Sequence, residues 1–132
     1  MAGLYLDTSA VGRVLLAEPD SEAILAEVGR FERRMASRLL AVELRRLALR
    51  HRLRDAADRL LAAISLLPLS EATLAAAESI EPASVATLDA IHLAAAVELF
   101  DADLIDTVLT YDERLAEGAG HHGLTVLAPS AG

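Results

Sequence analysis

Four acidic residues stand in apolar surroundings, and they are the residues of this sequence whose placement could support chemistry. Asp7 ends a short apolar run, and Asp112 follows the apolar segment 107–111. Glu43 and Asp89 fall in stretches whose apolar residues have helical spacing. A buried carboxylate is costly unless it is paired, protonated or bound to a metal. If the four carboxylates converge they repel one another, and a hard divalent cation such as Mg²⁺ or Mn²⁺ removes that repulsion. Such a site indicates hydrolysis of phosphodiester or phosphate bonds.

Each acid also has an ordinary structural explanation. Glu43 lies about 60° from Leu40 around its helix, inside or beside the apolar face, and a salt bridge to an arginine would account for it. Asp89 falls in the first turn of its predicted helix, where the helix dipole favours an acid. His92, one turn further on, is expected to be a packed or hydrogen-bonded histidine rather than a ligand. The acids are therefore evidence for a site only when they are taken together.

Other chemistries have less support. Catalysis by paired histidines and a lysine lacks the lysine, and the pair His121-His122 follows Gly120 in a segment predicted to be an exposed loop. The sequence has neither a glycine-rich phosphate-binding motif nor the motif of a nucleophilic serine. A phosphatase or phosphoacceptor domain that uses Asp7 as its nucleophile is a further hypothesis. Ser9 counts against it, because Ser9 stands where a second acid is expected.

The composition predicts a single domain over residues 1–132. The chain is 54% hydrophobic but only 3% aromatic, so Leu, Ala, Val and Ile must build its core. It has no cysteine, which excludes disulfides, thiolate metal sites and cysteine nucleophiles. The first residues do not have the pattern of a signal peptide, and no uninterrupted apolar segment reaches about 18 residues. We therefore expect a cytoplasmic protein that does not span a membrane.

The charge is unevenly distributed. A net charge of −8 argues by itself against a nucleic-acid partner. All 12 basic residues are arginines, however, and ten of them lie in residues 30–59, here called the arginine segment. This segment contains only four acids and carries a charge of +6. Such a segment could contact phosphates, or it could be a solvated helix face whose arginine stems cover apolar surface.

Short apolar strands and helices alternate along the chain. Strands are predicted over residues 2–7, 34–37, 66–69, 107–111 and 124–127. Helices are predicted over 8–16, from 19–21 onward, over 38–52, 54–64, 70–79 and 87–100, and as a turn over 112–117 that Gly118 ends. Thr8 and Ser9 are expected to cap the first helix, and Ser37 the third. Pro68 predicts an edge position for the strand that contains it.

This alternation indicates an α/β fold with a parallel sheet that is covered by helices on both faces. In such folds, ligands bind outside the carboxyl ends of the strands. Asp7 and Asp112 are both at carboxyl ends, so they should point to the same edge of the sheet. If their strands are neighbours, the two carboxylates come close together.

The sequence resembles the PIN-domain family, in particular its VapC-type toxins. Four segments carry the resemblance and occur in the family's order. They are LYLDTSA (4–10), SRLLAVELRR (37–46), TLDAIHLAAA (87–96) and VLTYDERL (108–115). The final segment GLTVLAP (123–129) looks like the family's last strand. Together these segments span nearly the whole chain.

The resemblance implies a PIN-like three-layer domain whose five-stranded parallel sheet has the order 3-2-1-4-5. It also implies a catalytic set formed by Asp7, Glu43, Asp89 and Asp112. In this set Asp7, Asp89 and Asp112 would bind Mg²⁺ or Mn²⁺. Glu43 would complete the site, either as a ligand of a metal-bound water or by positioning the attacking water.

The resemblance further implies that Thr8 and Thr110 supply hydroxyl groups that orient the aspartates. Family members are endoribonucleases that act on RNA as homodimers. A cognate VapB antitoxin inhibits them by inserting a peptide into the acidic pocket, which forms a larger hetero-oligomer. Many relatives carry a basic residue shortly before the third acid, where this chain has Val85-Ala86. The alternative is therefore a catalytically degenerate PIN-like module that binds a protein partner or RNA without cleaving it.

Overall fold

The computed structural model describes residues 3–131, which form a parallel sheet flanked by helices. The strands within this range are β1 (Gly3–Leu6), β2 (Arg33–Ser37), β3 (Ser65–Leu67), β4 (Thr107–Leu109) and β5 (Thr125–Leu127). The helices are α1 (Thr8–Leu15), α2 (Ser21–Val28), α3 (Arg38–His51), α4 (Arg54–Ala62), α5 (Glu71–Ser79), α6 (Thr87–Asp101) and α7 (Glu113–His121).

The five strands lie in the order β3-β2-β1-β4-β5, and every neighbouring pair is parallel. The predicted fold class and strand order are thereby confirmed. The central strand β1 pairs with β4 in a register that aligns Leu4 with Thr107 and Leu6 with Leu109. The next residues along the two strands are Asp7 and Thr110. This register determines what surrounds Asp7.

The alternating side chains of β1 divide the core between the two faces of the sheet. Leu4 and Leu6 pack into a cluster built with residues of α1 to α4. Tyr5 points to the opposite face, into a cluster formed mainly by residues of α6 and α7. Leu4 and Tyr5 have no exposed surface. Burying one such side chain contributes about 1.5–3 kcal/mol, so β1 is held firmly from both faces.

The sequence prediction was wrong about the end of α7. Gly118 was expected to stop the helix, but the helix continues to His121. A Cβ on Gly118 would lie 2.9 Å from Leu93 Cδ2, so this glycine serves close packing rather than termination. The glycine beyond the helix end is Gly123, with a φ of +89°. His121, predicted to lie in a loop, therefore belongs to the last turn of α7.

Smaller differences concern the ends of strands. β3 lies at an edge of the sheet as predicted, but it ends at Leu67, before Pro68. β4 ends at Leu109 instead of reaching residue 111. The prediction for β1 began at Ala2, which lies outside the described residues.

Within residues 3–131, no helix combines the length and the apolar character needed to cross a membrane.

Candidate active site

Asp7 lies at the carboxyl end of β1 and is held by hydroxyl groups. Its Oδ2 accepts a hydrogen bond from Thr110 Oγ1 (2.6 Å), and its Oδ1 accepts one from Ser9 Oγ (2.7 Å). Oδ1 also accepts from the backbone N–H of Ala10, so Asp7 is the N-cap of α1. Thr8 and Ser9 had been predicted as the caps. Asp7 is only 2% exposed, and both of its oxygens are occupied, which disfavours a role as a phosphoacceptor nucleophile.

Asp89 and Asp112 are two carboxylates in contact, and their like charges repel each other. Asp89 stands in the first turn of α6, as predicted, and Asp112 caps α7 by accepting a hydrogen bond from the N–H of Leu115 (2.8 Å). Burial, followed by the charge and the close contact of Asp112, raises the pKa of Asp89 to about 6. The charge of Asp7 also contributes to this rise. The negative charges of Asp112 and Asp7 therefore both act on Asp89, and their repulsion raises the pKa of this residue.

Glu43 extends from α3 and is held by two donors. Thr8 Oγ1 donates to Glu43 Oε1 (2.6 Å), and His92 Nε2 lies 2.8 Å from the same oxygen. Burial acts to raise the pKa of Glu43, but hydrogen bonds from His92 and Thr8 outweigh it and lower the pKa. Glu43 is thus ionised, and its partners are not arginines. The resemblance had assigned Thr8 to an aspartate, whereas the structure places it on Glu43.

The aspartates do not form a closed metal-binding shell. Among residues 3–131, no three acidic, histidine or cysteine side chains lie close enough together to enclose a metal ion. The contact between Asp89 and Asp112 nevertheless supplies two carboxylates with unfavourable charge repulsion. Mg²⁺ is commonly bound by one or two carboxylates and keeps several of its waters. The donor set fits a hydrated hard dication, and direct ligation by Asp7 stays a prediction.

Two residues of this site were missed by sequence reasoning. Ser9 links the strand ends, because its hydroxyl donates to Asp7 and accepts from the N–H of Tyr111 (2.8 Å). Tyr5 lies beneath the site and contacts His92, which is buried and hydrogen-bonded as predicted. The position of Ser9 two residues after Asp7 was the available signal for its role. For Tyr5 there was none, since a tyrosine in an apolar strand is usually a core residue.

The arginine segment forms a solvated surface. Nine of its ten arginines are exposed, and Arg34 is the half-buried one. Arg45 pairs with Asp58 on the neighbouring helix at 3.2 Å, with both side chains about half exposed. Pairs of this kind contribute little to stability. Both interpretations of the segment, a phosphate-contacting surface and a solvated helix face, agree with this exposure.

Asp89 provides a pH-dependent test of this electrostatic arrangement. Because its pKa is higher in the folded protein than the ordinary 3.8, its ionisation opposes folding. Stability is lost as pH rises through the window from 3.8 to about 6. In EDTA at pH 7, Asp89→Asn should increase the free energy of unfolding by about 1 kcal/mol, a value already reduced for solvent screening. At pH 3.5 the variant and the wild type should differ little.

Urea unfolding at the two pH values measures this difference. The matched control is Asp101→Asn, which removes the same charge from the exposed far end of α6. A variant that is equally stabilised at pH 3.5 and pH 7 would show that the carboxylate of Asp89 is not under strain.

Comparison with known proteins gives consistent matches over nearly the whole chain. The family model described as PIN domain matches residues 4–120. Ribonuclease VapC47 of Mycobacterium tuberculosis (strain CDC 1551 / Oshkosh) is 36% identical, with 97% of this chain and 98% of that protein aligned. Ribonuclease VapC46 of Mycobacterium tuberculosis (strain ATCC 25618 / H37Rv) is 37% identical, with 98% of this chain and 100% of that protein aligned.

Proposed function

This chain belongs to the PIN domain family, in its VapC-type branch, and we propose that it is a divalent-metal-dependent endoribonuclease that acts as a toxin. The observation that carries the proposal is the contact between Asp89 and Asp112. These two carboxylates create a locally negative site at the carboxyl edge of the sheet. The buried Asp7 adds to the negative charge there. The ribonuclease names of the two full-length relatives support the same activity.

In this proposal Asp89 and Asp112 hold Mg²⁺ or Mn²⁺, and Asp7 is the third acid. The bound cation supplies Lewis-acid stabilisation of the charge that develops on the phosphate. Ser9 and Thr110 fix Asp7, so that its charge stays in one place during the reaction. Such preorganisation avoids the cost of reorienting groups when the charge develops.

Glu43 is proposed to accept the proton of the attacking water, or to orient that water. Its lowered pKa keeps it ionised at neutral pH. Thr8 and His92 both bind Oε1. No hydrogen bond from the described residues reaches Oε2, and the side chain is 24% exposed, so this oxygen is free for water. A general base needs this combination of a fixed position and an accessible lone pair.

The proposed partners are those expected of a VapC-type protein. We infer a homodimer and a cognate VapB-type antitoxin that covers the acidic site in a larger hetero-oligomer. Five large apolar side chains are exposed on the described surface, which leaves apolar area for such partners to cover. They are Leu25, Val42, Leu49, Leu74 and Leu88. Single exposed apolar residues are ordinary on protein surfaces, so the inference rests on the family and not on these residues.

A cleavage assay tests the activity. Protein freed of antitoxin and of metal is incubated with single-stranded RNA in EDTA, in Mg²⁺ and in Mn²⁺. Cleavage is expected with either cation and not with EDTA, because the carboxylates need the cation to neutralise them. The competing hypothesis is a non-cleaving binding module, for which the exposed arginine segment would provide the surface. It predicts RNA or partner binding that is indifferent to EDTA, with no cleavage under any condition.

A further inference from the structure

A chain of hydrogen bonds runs from the core of the sheet to Glu43. The backbone N–H of Ser37 donates to the hydroxyl of Tyr5 (3.2 Å). That hydroxyl lies 2.8 Å from Nδ1 of His92, and Nε2 of His92 lies 2.8 Å from Oε1 of Glu43. Tyr5 and His92 are 0% and 1% exposed. The chain therefore connects β1, the end of β2, α6 and α3 through groups that water does not reach.

The donors along this chain have a consistent direction. The Tyr5 oxygen already accepts from an N–H, so its own hydrogen is available for Nδ1 of His92. Nδ1 then acts as an acceptor, and the imidazole carries its proton on Nε2. From there it donates to the carboxylate of Glu43. The buried hydrogen of the Tyr5 hydroxyl has no other acceptor in the described part of the chain, since Ser37 Oγ has no hydrogen-bond partner there.

The carboxylate at the end of the chain is fixed asymmetrically. Both of its donors, Thr8 and His92, bind the same oxygen, Oε1. Thr8 belongs to α1 and His92 to α6, so the carboxylate of Glu43 accepts hydrogen bonds from two different helices. This arrangement determines which way Oε2 faces, and Oε2 is the oxygen left for water.

We propose that Tyr5 and His92 are positioning residues that lock one histidine tautomer and thereby fix the reactive oxygen of Glu43. The hydroxyl of Tyr5 donates to Nδ1 and the ionised carboxylate of Glu43 accepts from Nε2, so both hold His92 in the same tautomer and orientation. Glu43 is the only one of the three that meets water. A metal-ligating or catalytic carboxylate commonly depends on such supporting hydrogen bonds, and losing one costs about 10- to 100-fold in activity. The expected effect on catalysis rests on the proposed function. The tautomer of His92 is inferred from the hydrogen bonds alone and does not depend on that function.

Nuclear magnetic resonance of the histidine side chains tests the tautomer without any assay of activity. Long-range ¹H–¹⁵N spectra of uniformly ¹⁵N-labelled protein in EDTA should show His92 with a protonated Nε2 and an unprotonated Nδ1. The His92→Gln variant identifies the signals among those of the four histidines. In Tyr5→Phe, which keeps the buried ring, the Nδ1 signal should shift because Nδ1 loses its donor, while the ionised Glu43 keeps the proton on Nε2. A protonated Nδ1 in the wild type, or an Nδ1 signal that does not move in Tyr5→Phe, would overturn the proposal.

Activity variants then separate positioning from packing. His92→Gln can still donate an N–H to Glu43, whereas His92→Leu fills a similar volume and donates nothing. We expect kcat to fall about 10- to 100-fold in His92→Leu with little change in KM, and to recover most of this loss in His92→Gln. The control is His51→Gln at the exposed end of α3, which should cleave like the wild type.

The two proposals fail in different ways. If the wild type cleaves no RNA while the spectra show the expected tautomer, the proposed function is wrong and the locking interaction stands. If the wild type cleaves RNA and both His92 variants are equally impaired, His92 serves packing alone and the positioning role is wrong.

Discussion

Asp89→Asn is expected to reduce the rate of RNA cleavage in Mg²⁺ by about 1000-fold or more. Stabilisation by a bound cation contributes several kcal/mol to phosphodiester hydrolysis, and a loss of about 4 kcal/mol corresponds to that factor. Asp89 is the right target because it is half-buried, contacts Asp112 and bears the repulsion of the site. Asp7→Asn should also inactivate the protein. Its amide would, however, face the hydroxyls of Ser9 and Thr110, and the change would therefore disturb the neighbouring structure as well.

Single-turnover cleavage rates measure the effect, with the fold checked by circular dichroism. Asp101→Asn on the same helix is the control for charge, and its rate should match that of the wild type. Together with the stability measurement, Asp89→Asn should be a more stable and inactive protein at pH 7. Cleavage by Asp89→Asn within about tenfold of the wild type, a difference of about 1.4 kcal/mol in the barrier, would remove Asp89 from the catalytic machinery.

Gly3→Ala is expected to destabilise the protein by about 3 kcal/mol or more. A Cβ on Gly3 would lie 2.0 Å from the backbone oxygen of Leu104 and 3.0 Å from Cα of Ile105. Backbone atoms cannot rotate away as a side chain can, so β1 or the segment before β4 must move. Movement of β1 would also shift Asp7 relative to Thr110, and activity should fall even where the variant stays folded.

Gly120→Ala is the matched control for this substitution. Gly120 lies in α7, and a Cβ there would have no heavy atom within 4 Å. Because alanine is favoured over glycine in a helix, this variant should be more stable by up to about 1 kcal/mol. Urea unfolding of both variants gives the comparison. Equal stabilities for Gly3→Ala and Gly120→Ala would mean that the close approach of β1 to residue 104 is relaxed in solution.

The sheet was largely predictable because short apolar segments alternate with helical ones. The segments before Asp7 and Asp112 are apolar runs bounded by polar residues, so they could be assigned as buried strands. The full strand order came from the family resemblance, since alternation alone does not decide which strands are neighbours. Helix ends were less predictable, because glycine has two uses. Gly118 permits close packing against Leu93, whereas Gly123 takes up the positive φ beyond α7.

The partners within the site could not be read from the sequence. Glu43 was predicted to lie beside an apolar face, but spacing along a helix does not reveal which residue on another helix meets it. Its partner His92 lies 49 residues away, and the partner Tyr5 of that histidine lies 87 residues from it. The family resemblance assigned Thr8 to an aspartate, yet its side chain donates to Glu43. Such pairings depend on the packing of α1, α3 and α6, which only coordinates describe.

Cation binding by Asp89 and Asp112 is the property on which the proposed chemistry depends, and titration calorimetry measures it directly. Metal-free wild-type protein titrated with Mn²⁺ at pH 7 should show saturable binding that Asp101→Asn retains and Asp89→Asn loses. Wild-type protein that binds no Mn²⁺, or an Asp89→Asn variant that binds it as tightly as the wild type, would contradict a metal site at this pair of carboxylates.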